Sequence, residues 1–248
     1  MKREFDPNKL ELMDQLQPVS PELVSDLENL RRLNQYFGSY SLLRHFLRLW
    51  LEPGRVYRIL DLATGSADIP CMIADWARQR HITVRIDAVD FHESTLEIAR
   101  RRAAGYPEIT LIRADARTFS SAETYDIVCC SLALHHFSEE DAVKLMRQIR
   151  RLSHDKALVT DLERNWLTWL SVWLLTTLVF REPMTQYDAR LSVRRSFSSS
   201  ELRALAAAAG WENFFHRRFM PARQAVWTSV REVQPILSYE LPAPNCAA

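Results

Sequence analysis

Glycine is scarce in this sequence, with five residues in 248. Loops that cradle a pyrophosphate usually repeat glycine, because the backbone must pass close to two bulky anions. The one loop here with the right setting holds only Gly65. Cysteine is also sparse: Cys71, Cys129, Cys130 and Cys246 show neither C-x-x-C nor Cys/His spacing. That excludes a zinc module and a disulfide framework, and it reads as reduced, buried thiols of a cytoplasmic protein. Charge of one sign is missing as well. The formal net charge of +1 gives no basic field on the scale of nucleic-acid binding. No apolar run is long enough to span a bilayer. "NWLTWLSVWLLTTLVF" (165–180) falls short of the roughly 20 residues required and is interrupted by Thr168, Ser171, Thr176 and Thr177. "MKREFDPNKLELMDQLQ" mixes both charges without an apolar stretch, so a secretory leader is not expected. "NCAA" leaves no prenylation box after Cys246.

The apolar content of 47% can build a core, in one large domain or two small ones. Leu23, Leu27, Leu30 and Leu33 recur at helical spacing. Gly38 breaks the pattern, and Leu42, Leu43, Phe46, Leu47 and Trp50 resume it. From Tyr57 the rhythm alternates. Strands are expected at 57–62, 84–89, 109–113, 125–131 and 156–161, and helices near 68–80, 93–104 and 139–152. "YDIVCCSLAL" is apolar on both faces, as in a parallel sheet covered by helices. The alternation predicts an open, doubly wound α/β sheet. A Trp-rich helix follows, then a polar loop, then a helix over 198–210 with serine at its N-cap and Gly210 as its stop. "WENFFHRRF" and "RQAVWTSV" are the expected final strands.

In such a sheet, ligands bind beyond the C-terminal ends of the strands. The first strand runs into "DLATGSADIP", where Ala63 and Ala67 stand beside Gly65. Gly65 is the position expected at positive φ. Asp90 follows the loop by about 25 residues, where a carboxylate accepts hydrogen bonds from ribose hydroxyls. Phe91 offers a flat face to an adenine. Asp115 can accept from the adenine amino group, with Ala116 beside it and Ser131 at the end of the fourth strand. One acid for the ribose and one for the base specify adenosine. S-adenosylmethionine (SAM) carries adenosine without phosphate, so a loop with one glycine can pass beside it. Asp61 is placed to meet its ammonium group, directly or through water, and Ala63 to line its bed. Asp68 reads as the N-cap of the next helix, with Pro70 in the first turn.

"ILDLATGSADIP … AVDFHESTLEIAR … LIRADARTF … YDIVCCSLALHHFSEEDAVKLMRQIRRL … ALVTDL" resembles the class I SAM-dependent methyltransferases, in particular the small-molecule branch of the ubiquinone/menaquinone biosynthesis enzymes. The resemblance covers residues 57–162 and departs from D-x-G-x-G-x-G at Ala63 and Ala67. It implies a Rossmann-like, doubly wound, seven-stranded, mostly parallel sheet with a reversed last hairpin. It also implies an N-terminal helical lid (1–54) over the cofactor, carrying Tyr36, Phe37 and Gly38. The catalytic domain would span 55–235 with a helical insertion at 163–197, before a Pro-rich tail at 236–248.

The acceptor should approach from the end of the fourth strand, where His135 and His136 lie. A neutral imidazole there can take a proton from a phenol or enol. The plainer reading is one packed and one solvated histidine. No metal is expected at the pair, because no third ligand is evident nearby. Trp166, Trp169 and Trp173 share one helix face. That face suits core packing, the wall of an apolar substrate pocket, a peripheral membrane contact or a dimer contact. "RLSVRRSF" (190–197) reads as a solvated basic loop, with Arg194 or Arg195 as an anchor for an acidic or carbonyl-bearing acceptor, Arg194 first. Together these features predict methyl transfer from SAM to an oxygen or carbon of a small apolar acceptor, of phenolic, quinone-like or polyketide-like kind, by a monomer or homodimer. Macromolecular methylation and a SAM-binding pseudoenzyme are the rivals. "SLAL" after the fourth strand is not an N/D-P-P-Y-type tetrapeptide, and no basic module is present.

Overall fold

The structure is a computed structural model that describes residues 1–220 and 222–229. The 236–248 tail, Cys246 and the end of the 55–235 segment lie outside the described residues. Strands β1 (Val56–Leu62), β2 (Thr83–Asp90), β3 (Ile109–Arg113), β4 (Tyr125–Ser131), β5 (Ser153–Leu162), β6 (Phe215–Phe219) and β7 (Arg223–Ser229) form one sheet in the order β3-β2-β1-β4-β5-β7-β6. β1 to β5 pair in parallel, and β7 runs antiparallel to both β5 and β6. The order reverses between β1 and β4, so a crevice opens above the ends of these two strands.

Period-two alternation divides the core between the two faces of the sheet. Leu60, Leu62, Val128, Cys130 and Val159 pack with Leu145 and Ile149 of α5 (Glu139–Leu152) and Leu202 of α8 (Ser199–Ala208). On the other face, Ile59, Ile86, Ile127, Cys129 and Leu158 pack with Phe46 of α2 (Ser39–Trp50) and with Ile73 and Trp76 of α3 (Asp68–Arg78). The adjacent Cys129 and Cys130 therefore join opposite cores, and both remain free, buried thiols. Each fully buried side chain of this kind contributes about 1.5–3 kcal/mol. α4 (Glu93–Ala103) links β2 to β3. Ser198 caps α8 in a reciprocal pair: Glu201 N donates to Ser198 Oγ and Ser198 N to Glu201 Oε2.

Three helices and one irregular segment stand over the crevice. α1 (Pro21–Tyr36) starts with Pro21 after Ser20, whose Oγ accepts from Leu23 N. α6 (Trp166–Leu178) and α7 (Pro183–Arg195) follow β5. α7 corrects the expectation of a solvated loop at 190–197. Its buried residues mix Ala189, Leu191 and Val193 with Thr185, Asp188, Ser192 and Arg195, and the polar members interrupt the apolar helix period. Asp188 accepts from Leu12 N (2.7 Å) and Met13 N (3.0 Å), which pins residues 11–14 onto α7. Arg3 ties the same segment down through Nε to Arg195 O (2.6 Å) and Nη2 to Phe137 O (2.7 Å). Among the described residues, no helix is long and apolar enough to cross a membrane.

Candidate active site

The turn after β1 reverses the chain into α3 through three left-handed residues, Ala63, Gly65 and Ala67, each at φ 58°. Gly65 is at positive φ as expected, and both alanines join it. Thr64 N donates to Val89 O (2.9 Å), and Gly65 N donates to Asp90 Oδ2 (2.8 Å). His92 N donates to Asp90 Oδ1 (3.0 Å). Each Asp90 oxygen has accepted one backbone N–H and keeps a lone pair for a ribose hydroxyl. Burial raises the Asp90 carboxyl, and the two backbone donors oppose that shift.

Asp61 does not line the cavity. It is 1% exposed and sits under the loop, accepting from Thr64 Oγ1 (2.6 Å) and Cys129 Sγ (3.4 Å). Burial pushes its carboxyl up to about 7. It holds the turn, and its burial leaves the expected ammonium contact to pass through an intervening group such as water. Asp68 is not the N-cap either. Ala67 holds that place without a side-chain bond, and Asp68 lines the cavity, its Oδ2 accepting from Asn34 Nδ2 and Tyr40 OH (both 3.0 Å). Phe91 stands at the rim, 55% exposed. Asp115 accepts from Arg117 N (2.8 Å) and Nη2 (2.6 Å), and hydrogen bonding to Arg117 holds its carboxyl below the usual range. Ala116 and Ser131 line the same space, and Ser131 Oγ is buried without a partner among the described residues. A shaped turn, an acid with free lone pairs, an exposed aromatic face and an orphaned hydroxyl fit an adenosyl ligand.

The cavity that includes this bed and extends beyond it has a volume of about 1180 Å³ in all. Its walls are apolar: Leu27, Leu30 and Leu33 from α1, and Leu174, Leu175 and Leu178 from α6. Its polar head comes from three places in the chain. His135 and His136 lie on a 3-10 turn after β4 (Leu134–His136), Glu11 and Asp14 on the N-terminal segment, and Arg195 at the end of α7. His135 Nδ1 is 2.7 Å from Asp161 Oδ1, and His136 Nδ1 is 2.5 Å from Asp14 Oδ2. Burial lowers His135 against the pull of Asp161. Burial would lower His136 too, but Asp14 and Glu11 outweigh it and raise it to about 10. Burial raises the Glu11 carboxyl. Arg195 is 1% exposed, and its Nε and Nη1 have no hydrogen-bond partner among the described residues.

Several expected acceptor contacts lie elsewhere. Tyr36 is 71% exposed and outside the cavity, and Phe37 lines it instead. Trp166, Trp169 and Trp173 do not line it, because α6 turns Ser171, Leu174, Leu175 and Leu178 inward. Arg194 faces out toward Glu4 (3.7 Å), and its neighbour Arg195 takes the inward place. Glu11, Asp14 and Arg195 complete the polar head. Arg195 was an open alternative in the sequence, whereas Glu11 and Asp14 carry no local signal, since their partners are more than a hundred residues away.

Residues 59–156 match the family described as "Methyltransferase domain". The chain is 25% identical over 211 residues to the 2-phytyl-1,4-naphtoquinone methyltransferase of Thermosynechococcus vestitus, covering 79% of this chain and 91% of that protein. Among solved structures, the plantazolicin methyltransferase BamL in complex with a triazolic desmethylPZN analog and SAH is similar at TM-score 0.63 and 14% identity, over 84% of this chain and 91% of that one. Magnesium protoporphyrin IX methyltransferase (ChlM) from Synechocystis PCC 6803 with bound SAH follows at TM-score 0.52 and 13% identity, over 88% and 90%. These two likenesses show the fold. The strand order, the turn with Asp90 behind it and the domain match make residues 59–156 a class I, SAM-dependent methyltransferase domain.

Proposed function

We propose that the chain methylates an oxygen or ring carbon of a small, largely apolar acceptor of phenolic, quinone-like or polyketide-like kind. The observation that carries this reading is the continuity of one cavity. It joins the adenosyl bed at Gly65 and Asp90 to the polar head at Glu11, His135 and His136 through walls of leucine. When bound, SAM supplies an electrophilic methyl on a sulfonium, a good leaving group. The chain's own task is then to hold an acceptor in line and keep water out. An apolar body would lie against Leu27, Leu30, Leu33, Leu174 and Leu175. Its hydroxyl or enol would meet the polar head. There Asp161 orients His135, so that Nε2 faces the cavity, and Arg195 offers unpaired donors to a developing oxyanion.

The rim supports a lipophilic acceptor. Leu16, Leu174, Leu178 and Val179 border the cavity and are also exposed. The quinone substrate in the name of the Thermosynechococcus relative belongs to the same chemical class. The +1 net charge speaks against a nucleic-acid substrate. The buried free thiols of Cys71, Cys129 and Cys130 suit a cytoplasmic enzyme. The test is to incubate the chain with methyl-labelled SAM and extract from its source cells, then partition the label. Label in the organic phase is the expected result. Label on protein or nucleic acid would replace the substrate class.

A further inference from the structure

The polar head is arranged as more than an acid–base pair. One donor atom from each of Glu11, His135 and His136 lies within 4.8 Å of the others. Each imidazole is anchored through Nδ1 to its own carboxylate, His135 to Asp161 and His136 to Asp14. Both Nε2 atoms therefore remain directed at a third carboxylate. His135 Nε2 is 3.6 Å from Glu11 Oε1, and His136 Nε2 is 3.9 Å from Glu11 Oε2. The two rings form a tilted pair, with centroids 4.3 Å apart and planes 33° apart. Neither Nε2 contact is short enough for a hydrogen bond. Donors that share a cation at about 2.1 Å, with angles of roughly 110–130°, stand about 3.4–3.8 Å from one another. The two histidine–Glu11 spacings, each to a different carboxylate oxygen, fall within about 0.1 Å of that range, and the three donors together lie within 4.8 Å, so a bound ion would draw the set inward by up to about an ångström.

The surroundings match a ligand set. Metal-binding histidines characteristically give their second ring N–H to a carboxylate, which fixes the tautomer and leaves the other nitrogen for the ion. Here both histidines do so. Ser192 Oγ, 2.8 Å from Glu11 Oε1, steadies the third donor. Asp188 fixes the backbone on either side of Leu12, and so places Glu11 and Asp14 together. All three candidate ligands line the cavity, so positions on the open side remain for a substrate.

We propose that Glu11, His135 and His136 bind one divalent first-row transition cation at the acceptor end of the cavity. Two imidazoles and one carboxylate with open positions suit Zn²⁺, Mn²⁺ or Fe²⁺ rather than Ca²⁺ or Mg²⁺. The open positions select acceptors that present two neighbouring oxygens, such as a catechol, a hydroxyquinone or an enolised 1,3-diketone. That selection rests on reading the cavity as the acceptor site; the binding of the cation does not.

The test uses the full chain stripped with EDTA and titrated with Zn²⁺ alone by calorimetry, with Co²⁺ as a spectroscopic probe. One equivalent should bind. Glu11→Gln and His136→Asn should each weaken it by about a hundredfold or more, and Asp14→Asn by about tenfold. Zn²⁺-loaded parent protein should show two imidazole nitrogens and one carboxylate by X-ray absorption, a readout that stands even where a variant fails to fold. No stoichiometric binding, binding unchanged in the variants, or a coordination shell without imidazole overturns the site. Label transfer into the organic phase that continues undiminished in EDTA would overturn the selection of acceptors by the cation while leaving the methyltransferase reading intact.

Discussion

Replacing Gly65 with alanine separates the fold of the loop from its purpose. Gly65 sits at φ 58°, between two alanines that already tolerate the same conformation. A Cβ added there meets no heavy atom within 4 Å. The substitution therefore costs backbone strain alone, roughly 1–2 kcal/mol for a left-handed L-residue. Lower entropy of the unfolded chain returns about 0.4–1 kcal/mol. The net loss is about 0.5–1 kcal/mol, a fall in melting temperature of roughly 1–4 °C for a chain of this size. Gly65 lines the cavity, so the added methyl enters the space proposed to hold the adenosyl group. Overpacking against a ligand costs about 1–3 kcal/mol, so the SAH dissociation constant should rise roughly 5- to 150-fold. Calorimetry with SAH and thermal melts check the two halves. A variant that melts 10 °C lower would refute the strain argument. One that binds SAH as tightly as the parent would show that this turn is not the cofactor's bed.

The remaining predictions concern the polar head and the lid. His135→Ala should lower turnover with methyl-labelled SAM by roughly a hundredfold while leaving SAH affinity unchanged. Equal turnover would remove His135 from the chemistry. Arg195→Met removes a buried guanidinium with two unpaired nitrogens, so the melting temperature should hold or rise while the acceptor KM rises; a large loss of stability would contradict the open guanidinium. Asp26, on α1, is pushed up to about 7 by burial, with Asp188 and Glu182 adding to the shift and the Thr185 hydroxyl opposing it. The folded chain thus holds this proton more tightly than the unfolded chain, and stability falls as pH rises from about 4 through 7. Asp26→Asn should flatten that part of the urea-midpoint profile between pH 4 and pH 7.

The sheet was legible because its strands carry their own signal. Apolar runs such as "YDIVCCS", closed by turn residues, place β1 to β5 within three residues of the observed ends. That Gly65, Asp90 and Asp115 meet at one cavity was legible for the same reason, since each lies at or just after a strand end. The polar head was only half legible. His135 and His136 follow β4, but Glu11 reaches them from the other end of the chain, and no local period marks it. α7 was hidden because Thr185, Asp188 and Ser192 interrupt the apolar positions among its buried residues, and Asp188 is satisfied by the distant backbone of Leu12 and Met13. The tryptophans of α6 misled for the opposite reason. They do share a face, but a helix apolar all round gives no clue to which face turns inward.

The most direct test of the central claim is calorimetry of the purified chain with SAM, SAH and NAD, alongside the Asp90→Ala variant. The account predicts one site for SAM and SAH, none for NAD, and loss of that site in the variant, whose ribose acceptor is gone. Binding of NAD in place of SAM, or SAM binding that survives the loss of Asp90, would contradict it.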